Sequence, residues 1–570
     1  MPFASPFPVL DIPKCNLLDY LFPQEAAPSD TPIWIDSKDT DQHLTPRSLL
    51  QWSKRLALGL DRIGSKPGEV VMIFTPNHIF VPVAYLGIVG SKRIFSGANP
   101  AYTVSEMIHQ VANTEAKFIL AHPTLIKAAV AAAKGAGLPE GRVFLFSDEP
   151  CAPVEGCKDW RDMLPSPAES KAYNFPKLSE QEATTTTATV NYSSGTTGLP
   201  KGVEVSHYNL IANLEQTIFI RYLNKPWNAD TRPQETWIGF LPLYHAYGQL
   251  YTIAMAQKLQ IPCYIMKKFE YEEFLRVIQT HKVTHLQVAP PIMVMLSKRP
   301  ETVKYDLSSV TDILCGAAPL SKELQNEISK KLQCEIVQGW GMTEVTCGAI
   351  HVPGGTVDDS GSVGQLDPNC ECMLLDDDGN EVPEGQPGEL HVRGPNICLG
   401  YWRNPDATKE SISPDGWLKS GDVAIVKNGW FWIVDRKKAS HVCLSTLTIG
   451  TSANTTQELI KVNALQVAPA ELEAVLLEFD PIADAAAVGI TLDGQEWPRA
   501  YITLKDEHKG KTTAEDIHRH MKIKVAKHKQ LVGGIVFVDE VPKLQSGKIM
   551  RKVVKEWAKK DAEKMGKARL

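Results

Sequence analysis

The stretch richest in chemistry is Tyr192-Ser193-Ser194-Gly195-Thr196-Thr197-Gly198-Leu199-Pro200-Lys201-Gly202. Gly195, Gly198 and Gly202 carry no Cβ, so backbone amides there can approach an anion closely. Ser193, Ser194, Thr196 and Thr197 add hydroxyl donors, and Lys201 adds a mobile positive charge. These parts suit a polyphosphate. The competing reading is a surface loop of small residues, but a strand-like run before the stretch and a helical run after it weigh against that. A Walker A loop needs its lysine followed by Ser or Thr at the opening of a helix. Lys201 is followed by Gly202 and Val203, so a kinase or ATPase reading is weak.

Such a loop needs a rigid frame. Apolar runs of strand length alternate with amphipathic runs of helix length. Val70–Phe74 is a buried-strand run followed by a Pro-Asn turn and an apolar helical segment, and VTHLQVAPPIMVMLSK repeats the plan of strand, proline break and helix. This alternation predicts an α/β chain with much parallel sheet. Ala188–Tyr192 reads as a strand because β-branched residues suit a pleat. Residues 379–400, punctuated by Gly and Pro, read as all-β. The tail reads as α+β: helices over 470–479 and 513–525, strands over 486–490, 499–504 and 534–538.

The bulk properties bound the rest. A chain of 570 residues allows more than one domain. Net charge is −6, with 43% hydrophobic and 22% charged residues. That balance does not point to a nucleic-acid binder. Eleven cysteines are scattered without a CxxC pair, so Cys370 and Cys372 read as ordinary thiols in a reducing compartment. No basic n-region opens the chain and no run approaches 18 apolar residues, so neither a secretory signal nor a membrane span is expected. The last residues, Ala568-Arg569-Leu570, are similar to the peroxisomal address SKL. They suggest a peroxisomal import receptor as partner and a matrix location, the cytoplasm being the alternative.

Further motifs follow in order: Leu241-Pro242-Leu243-Tyr244-His245, Gly316-Ala317-Ala318-Pro319-Leu320, Gly339-Trp340-Gly341-Met342-Thr343-Glu344, Trp417-Leu418-Lys419-Ser420-Gly421-Asp422, Asp435-Arg436-Lys437-Lys438 and Pro542-Lys543-Leu544-Gln545-Ser546-Gly547-Lys548. With the Ser193–Gly202 stretch they resemble the adenylate-forming enzymes: acyl-CoA synthetases, firefly-type luciferases and peptide-synthetase adenylation domains. The nearest resemblance is to 4-coumarate–CoA ligases and their fungal relatives, over roughly residues 30–560. It implies a large N-terminal AMP-binding domain (1–435) of αβαβα-type subdomains plus a small β-barrel-like subdomain. A hinge (436–438, pivoting near Lys438) and a small mobile α+β C-terminal domain (458–570) follow.

The resemblance also implies roles. ATP and an acid give acyl-AMP and pyrophosphate; CoA, the co-substrate, then gives acyl-CoA and AMP. Lys548 would bridge the carboxylate and the α-phosphate, since an ammonium donates in several directions. Thr343 would hydrogen-bond that phosphate, Glu344 would hold Mg²⁺ through hard oxygens, and His245 would gate. Ala317, Gly339, Trp340 and Gly341 would surround adenine, with Trp340 offering its face. Asp422 and Arg436 would hold the ribose. Lys461, Ala464 and Gln466 would face the CoA-side reaction. The acid would lie near Tyr247, Tyr251, Leu314, Ala317, Gly341, Cys347 and Gly348. No acidic residue lies in His245–Tyr251, which argues against an α-amino acid. Leu314 stands where 4-coumarate ligases commonly carry lysine, so aryl, medium-chain and secondary-metabolite acids stay equally open.

One segment interrupts the pattern. Relatives run from the hinge lysine directly into Glu-Leu-Ile-Lys; here residues 439–457, ASHVCLSTLTIGTSANTTQ, intervene, and their removal restores DRKKELIKVNALQVAPAELE. Asn463 and Ala464 also replace a usual lysine and glycine. Two readings stay open: a genuine loop, predicted to be disordered, or an intron retained in frame. Either could impair the thioester step. Alternatives to a CoA ligase are an adenylation enzyme loading a separate carrier protein, a luciferase-like oxidase, and a product impaired by the insertion.

Overall fold

The computed structural model describes residues 2–24, 27–193, 200–318, 320–376, 378–436, 460–462, 465–467, 469–492, 495–542 and 549–567. The chain separates into two compact units, one made mainly of residues up to Val434 and the other mainly of residues from Asp435 onward.

Among the described residues the larger unit contains three sheets. A seven-stranded sheet runs in the order Gly400–Tyr401, Lys201–Ser206, Thr187–Ser193, Ile94–Ala98, Val70–Phe74, Phe118–Ala121, Val143–Leu145. Its central strands are parallel. Val70–Phe74 is buried along its whole length, as expected of a strand covered on both faces. The helix Val81–Gly90 that follows is buried at every position.

A nine-stranded sheet orders Gln365–Leu366, Ile350–His351, Glu335–Trp340, Asp312–Cys315, His285–Val288, Trp237–Gly239, Cys263–Ile265, Trp34–Asp36 and His43–Leu44. Register places His285, Asp312 and Glu335 side by side, then Gln287, Leu314 and Val337, and Gly339 opposite His351. Side chains on a strand alternate faces, so these residues share one face in successive rows. The predicted order of strand, proline break and helix is found, and Pro290 and Pro291 themselves open the helix Pro290–Lys298. Proline is tolerated there because the first turn leaves its N–H positions unpaired anyway.

The third sheet is five-stranded and includes Glu371–Leu375, Gly388–Arg393, Leu418–Lys427 and Trp430–Arg436. Its remaining strand is Phe3–Ala4, which pairs antiparallel with Glu371–Cys372.

The smaller unit pairs Ile460–Val462 with Leu465–Val467. A second sheet joins Ile482–Leu492 antiparallel to Gln495–Leu504, which pairs parallel with Ile535–Phe537. Helices Pro469–Leu477, Ala514–Lys524 and Arg551–Lys567 complete it. Thr513 and Asp516 form a capping box that starts the second of these helices. The buried pair Arg551–Glu473 ties the last helix to the first.

Candidate active site

The helix His207–Tyr222 starts at Ser206, whose hydroxyl caps Asn209 in a capping box. One turn later the Asn213 amide meets Gly348, donating to its carbonyl at 2.7 Å and accepting from its N–H at 3.3 Å. Asn396 donates to the same carbonyl at 2.8 Å and accepts from Thr346 Oγ1 through its backbone oxygen. The segment after Thr343-Glu344 is thus held at both sides. It folds back on Gly341 so closely that a Cβ there would lie 1.8 Å from the Cys347 carbonyl oxygen. Only glycine fits, which gives the motif's second glycine a steric cause.

Thr343 and Glu344 open a single 3₁₀ turn, and both are buried. Glu344 accepts a hydrogen bond from the Tyr401 hydroxyl at 2.8 Å through one oxygen. Its other oxygen takes no hydrogen bond from the described residues. Burial, then the Glu344 charge, push the Tyr401 phenol well above its ordinary value, so it stays a donor. A fixed carboxylate with a spare oxygen fits a hard cation.

Trp340 and Asp422 are directly linked: the indole N–H donates to Asp422 Oδ2 at 2.9 Å, and both side chains are buried. Motif reading placed the two separately and missed this bond. Ala317 has φ +68°, a left-handed backbone uncommon for a residue with a Cβ. Ser193 ends the strand Thr187–Ser193, and its buried hydroxyl has no hydrogen-bond partner among the described residues. Lys201 begins the neighbouring strand. Residues Ser194, Gly195, Thr196, Thr197 and Gly198 between them lie outside the described residues.

The residues assigned to the acid cluster together. Tyr247 and Tyr251 pack edge to face with centroids 5.1 Å apart, and Tyr247 donates to the Leu314 carbonyl at 3.2 Å. Burial pushes both phenols well above their ordinary values, so they remain neutral. Tyr251 belongs to a π-helical stretch, Gln249–Met255, a geometry that recurs at functional sites. Gln249 anchors it through a reciprocal amide pair with Asn191 at 3.0 Å. Burial, then the Asp367 charge, push the Cys347 thiol up to about 12, so it is no thiolate nucleophile. His245 is exposed and caps the short helix Ala246–Gly248, its Nδ1 accepting from the Tyr247 N–H at 3.3 Å.

Tyr251 and Leu314 line a narrow cleft open to solvent. Its other walls were not foreseen. Arg221, His285, Asp312, Glu335 and His351 all border it. Arg221 donates to Glu235 at 2.8 Å, and Glu235 also accepts from Tyr222 and the Trp237 indole. Burial alone would raise Glu235; the Arg221 charge, then that of His285, hold it down to about 2. His285 sits 3.0 Å from Asp312, which also pairs with Lys225. Burial, then the Arg221 charge, lower His285 and keep it neutral near pH 7. The available signal was the presence of charged residues inside otherwise apolar strands.

In the smaller unit, register pairs Lys461 with Gln466 across the hairpin. Arg436 ends the strand Trp430–Arg436. Lys438, Ala464, Lys548, the insertion 439–457 and Ala568–Leu570 lie outside the described residues. Among the described residues no helix is long and apolar enough to cross a membrane.

Residues 22–402 match the AMP-binding enzyme family and residues 471–548 its C-terminal domain. The chain therefore belongs to the AMP-binding enzymes, the adenylate-forming superfamily. Among its curated relatives, phenylacetyl-CoA ligase epaB of Aspergillus niger is 32% identical over 96% of this chain and 97% of its own. Acyl-CoA synthetase ACTT5 of Alternaria alternata is 34% identical over 92% and 87%. Probable 4-coumarate–CoA ligase 3 of Dictyostelium discoideum is 31% identical over 97% of both. The fold matches the solved amide bond synthetase McbA of Marinactinospora thermotolerans with TM-score 0.75 at 22% identity, over 91% of this chain and 96% of the other.

Proposed function

We propose that this protein is an ATP-dependent acid–CoA ligase acting on a carboxylic acid without an α-amino group. The observation that carries the proposal is the match along nearly the whole chain, at 31–34% identity, to relatives named as acid–CoA ligases. In the first half-reaction a carboxylate oxygen attacks the α-phosphorus of ATP and pyrophosphate leaves. Both reactants are anions, so catalysis is mostly positioning and charge neutralisation. Thr343 holds the α-phosphate, Asp422 the ribose, and Lys548 bridges the two reacting groups. Glu344 would hold Mg²⁺, which neutralises phosphate charge when bound. In the second half-reaction the CoA thiolate attacks the acyl carbon and AMP leaves, on the side formed by Lys461 and Gln466. An acyl phosphate anhydride is a good electrophile, so excluding water matters more than strong base catalysis.

The test is pyrophosphate exchange across a panel of acids, followed by CoA addition and detection of the thioester. A response confined to amino acids would refute the acid class. Thioester formed only with an added carrier protein would favour the stand-alone adenylation reading, and light emission a luciferase-like one. Delivery to peroxisomes through Ala568-Arg569-Leu570 is a separate part of the proposal; a tagged chain that stays cytoplasmic with the tail intact contradicts it.

A further inference from the structure

The strand that leads into the Ser193–Gly202 motif is tied to the helix that carries the acid-side tyrosines. Asn191 stands two residues before Ser193 on the strand Thr187–Ser193, so the two share a face. Gln249 is the first residue of the π-helical stretch Gln249–Met255. Asn191 and Gln249 are 3% and 2% exposed, and each amide donates to the other at 3.0 Å. The Gln249 amide also donates to the Tyr244 carbonyl at 3.0 Å, and the Asn191 amide to Thr189 Oγ1 at 3.4 Å. Every polar atom of the pair is thus engaged. Tyr244 is itself held. A Cβ on Gly97 would lie 2.6 Å from the Tyr244 Cβ, and the Asn77 amide grips Leu241 and Leu243 just before it, at 2.9 Å each.

Such a pair adds little net stability, because apolar partners of the same shape in both places are nearly neutral. What it adds is geometry, since a fully satisfied buried network specifies one arrangement. The arrangement at stake is the register of the helix. π-Helical bonds run from i to i+5 rather than i+4. Relaxing the stretch to α geometry shifts its residues by one position, a rotation of about 100°. Tyr251, inside the stretch, would then lose its edge-to-face contact with Tyr247. The stretch is an element with two discrete arrangements, and the amide pair is where the strand biases the choice between them.

Building on the ligase reading, we propose that Asn191 and Gln249 are positioning residues that couple the two substrates of the first half-reaction. Nucleotide held at the Ser193–Gly202 motif fixes the end of the strand, the amide pair passes this to the register of Gln249–Met255, and the acid meets a surface already formed. By linkage, the acid tightens nucleotide binding by the same factor.

The experiment titrates the full chain with α,β-methylene-ATP and Mg²⁺ by calorimetry, first without acid and then with saturating phenylacetate, cinnamate or hexanoate, whichever supports the fastest pyrophosphate exchange. The methylene bridge prevents pyrophosphate from leaving, so both ligands stay bound. The wild type is expected to bind the nucleotide about 10-fold tighter with acid than without. In N191L/Q249M, which removes both amides at similar volume, that ratio falls to about 1, while the Kd for nucleotide alone stays within roughly 3-fold. In N191Q/Q249N the amides trade places and keep their summed length, so the reciprocal bonds form again and the ratio stays within roughly 3-fold of wild type. If the apolar pair does not fold, Asn191→Ser, which leaves room for water to satisfy Gln249, reads the same loss. A wild-type ratio near 1, a ratio unmoved in N191L/Q249M or in Asn191→Ser, or a ratio lost in N191Q/Q249N overturns the assignment. Failure of the ligase reading looks different: no acid supports exchange at all.

Discussion

The bond from the Trp340 indole to Asp422 joins two motifs that are 82 residues apart in the chain. Asp422 is thereby aimed before any ribose arrives, and its carboxylate makes charge-assisted hydrogen bonds. Replacing it in Asp422→Asn keeps the shape and removes the charge. The KM for ATP is expected to rise about 10-fold, with the KM for the acid little changed. Pyrophosphate exchange at varied ATP reads this directly; an unchanged ATP dependence would contradict the ribose role. Glu235 supports a prediction about stability. Its folded value of about 2 lies below the ordinary 4.5. A depressed carboxylate stabilises the fold fully above its unfolded value, and the contribution disappears as pH falls from 4.5 towards 2. That gap corresponds to roughly 3 kcal/mol. Glu235→Gln should therefore unfold more easily at pH 7 by about that amount, since it strands the buried Arg221 charge. Urea unfolding across pH should show the difference between wild type and variant shrinking below pH 4.5. A difference constant down to pH 2 would show that the effect is not ionic.

At the scale of elements, the site depends on one reversal, from Trp340 through the 3₁₀ turn to the strand Ile350–His351. Gly341 lies against Cys347 and Gly348, and Asn213 and Asn396 hold that segment from the other side. Gly341→Ala cannot be relieved by moving a flexible side chain, because the clashing atoms are backbone. Pyrophosphate exchange should fall by roughly 100-fold, the scale of a displacement near 1 Å at a reacting centre, while the unfolding midpoint shifts far less. Near-normal exchange would mean the clamp yields. Period and composition made much of this frame readable. Val70–Phe74, His285–Val288 and the predicted tail strands appear where continuous apolar or β-branched runs placed them. Two elements escaped. The π-helical stretch Gln249–Met255 has no sequence period of its own and is fixed by the Gln249–Asn191 pair. The helix Arg551–Lys567 is so rich in lysine that its apolar stripe, Val554 and Ala558 against Tyr501 and Ile490, was easy to overlook. Pairs such as His351–Asp367 are illegible for another reason: they join a strand residue to the residue just after the neighbouring strand Gln365–Leu366, and only folding sets that register.

At the scale of the whole molecule, the question is what residues 439–457 do to two reactions that share one chain. They fall between Trp430–Arg436, the last strand before the hinge, and Ile460–Val462, whose Lys461 is assigned to the CoA-side reaction. Closing a loop of this length adds little entropy, since the term grows only with the logarithm of length. The insertion is therefore compatible with folding of either unit. What it changes is the covalent path across the pivot that the resemblance assigns to Lys438. The roles proposed above assign Lys548 to adenylation and Lys461 and Gln466 to thioester formation. The insertion lengthens the connection at that pivot, and Asn463 and Ala464 depart from the usual residues beside Lys461. We therefore expect adenylation to be less impaired than thioester formation. Deleting 439–457 should leave pyrophosphate exchange within about 3-fold and raise acyl-CoA formation by about 10-fold, each measured with the same acid; each 10-fold is about 1.4 kcal/mol of barrier. Equal CoA-ligase rates with and without the segment would show that it does not interfere. Transcripts that consistently retain its codons would show that it belongs to the working enzyme, and the intron reading would then fail.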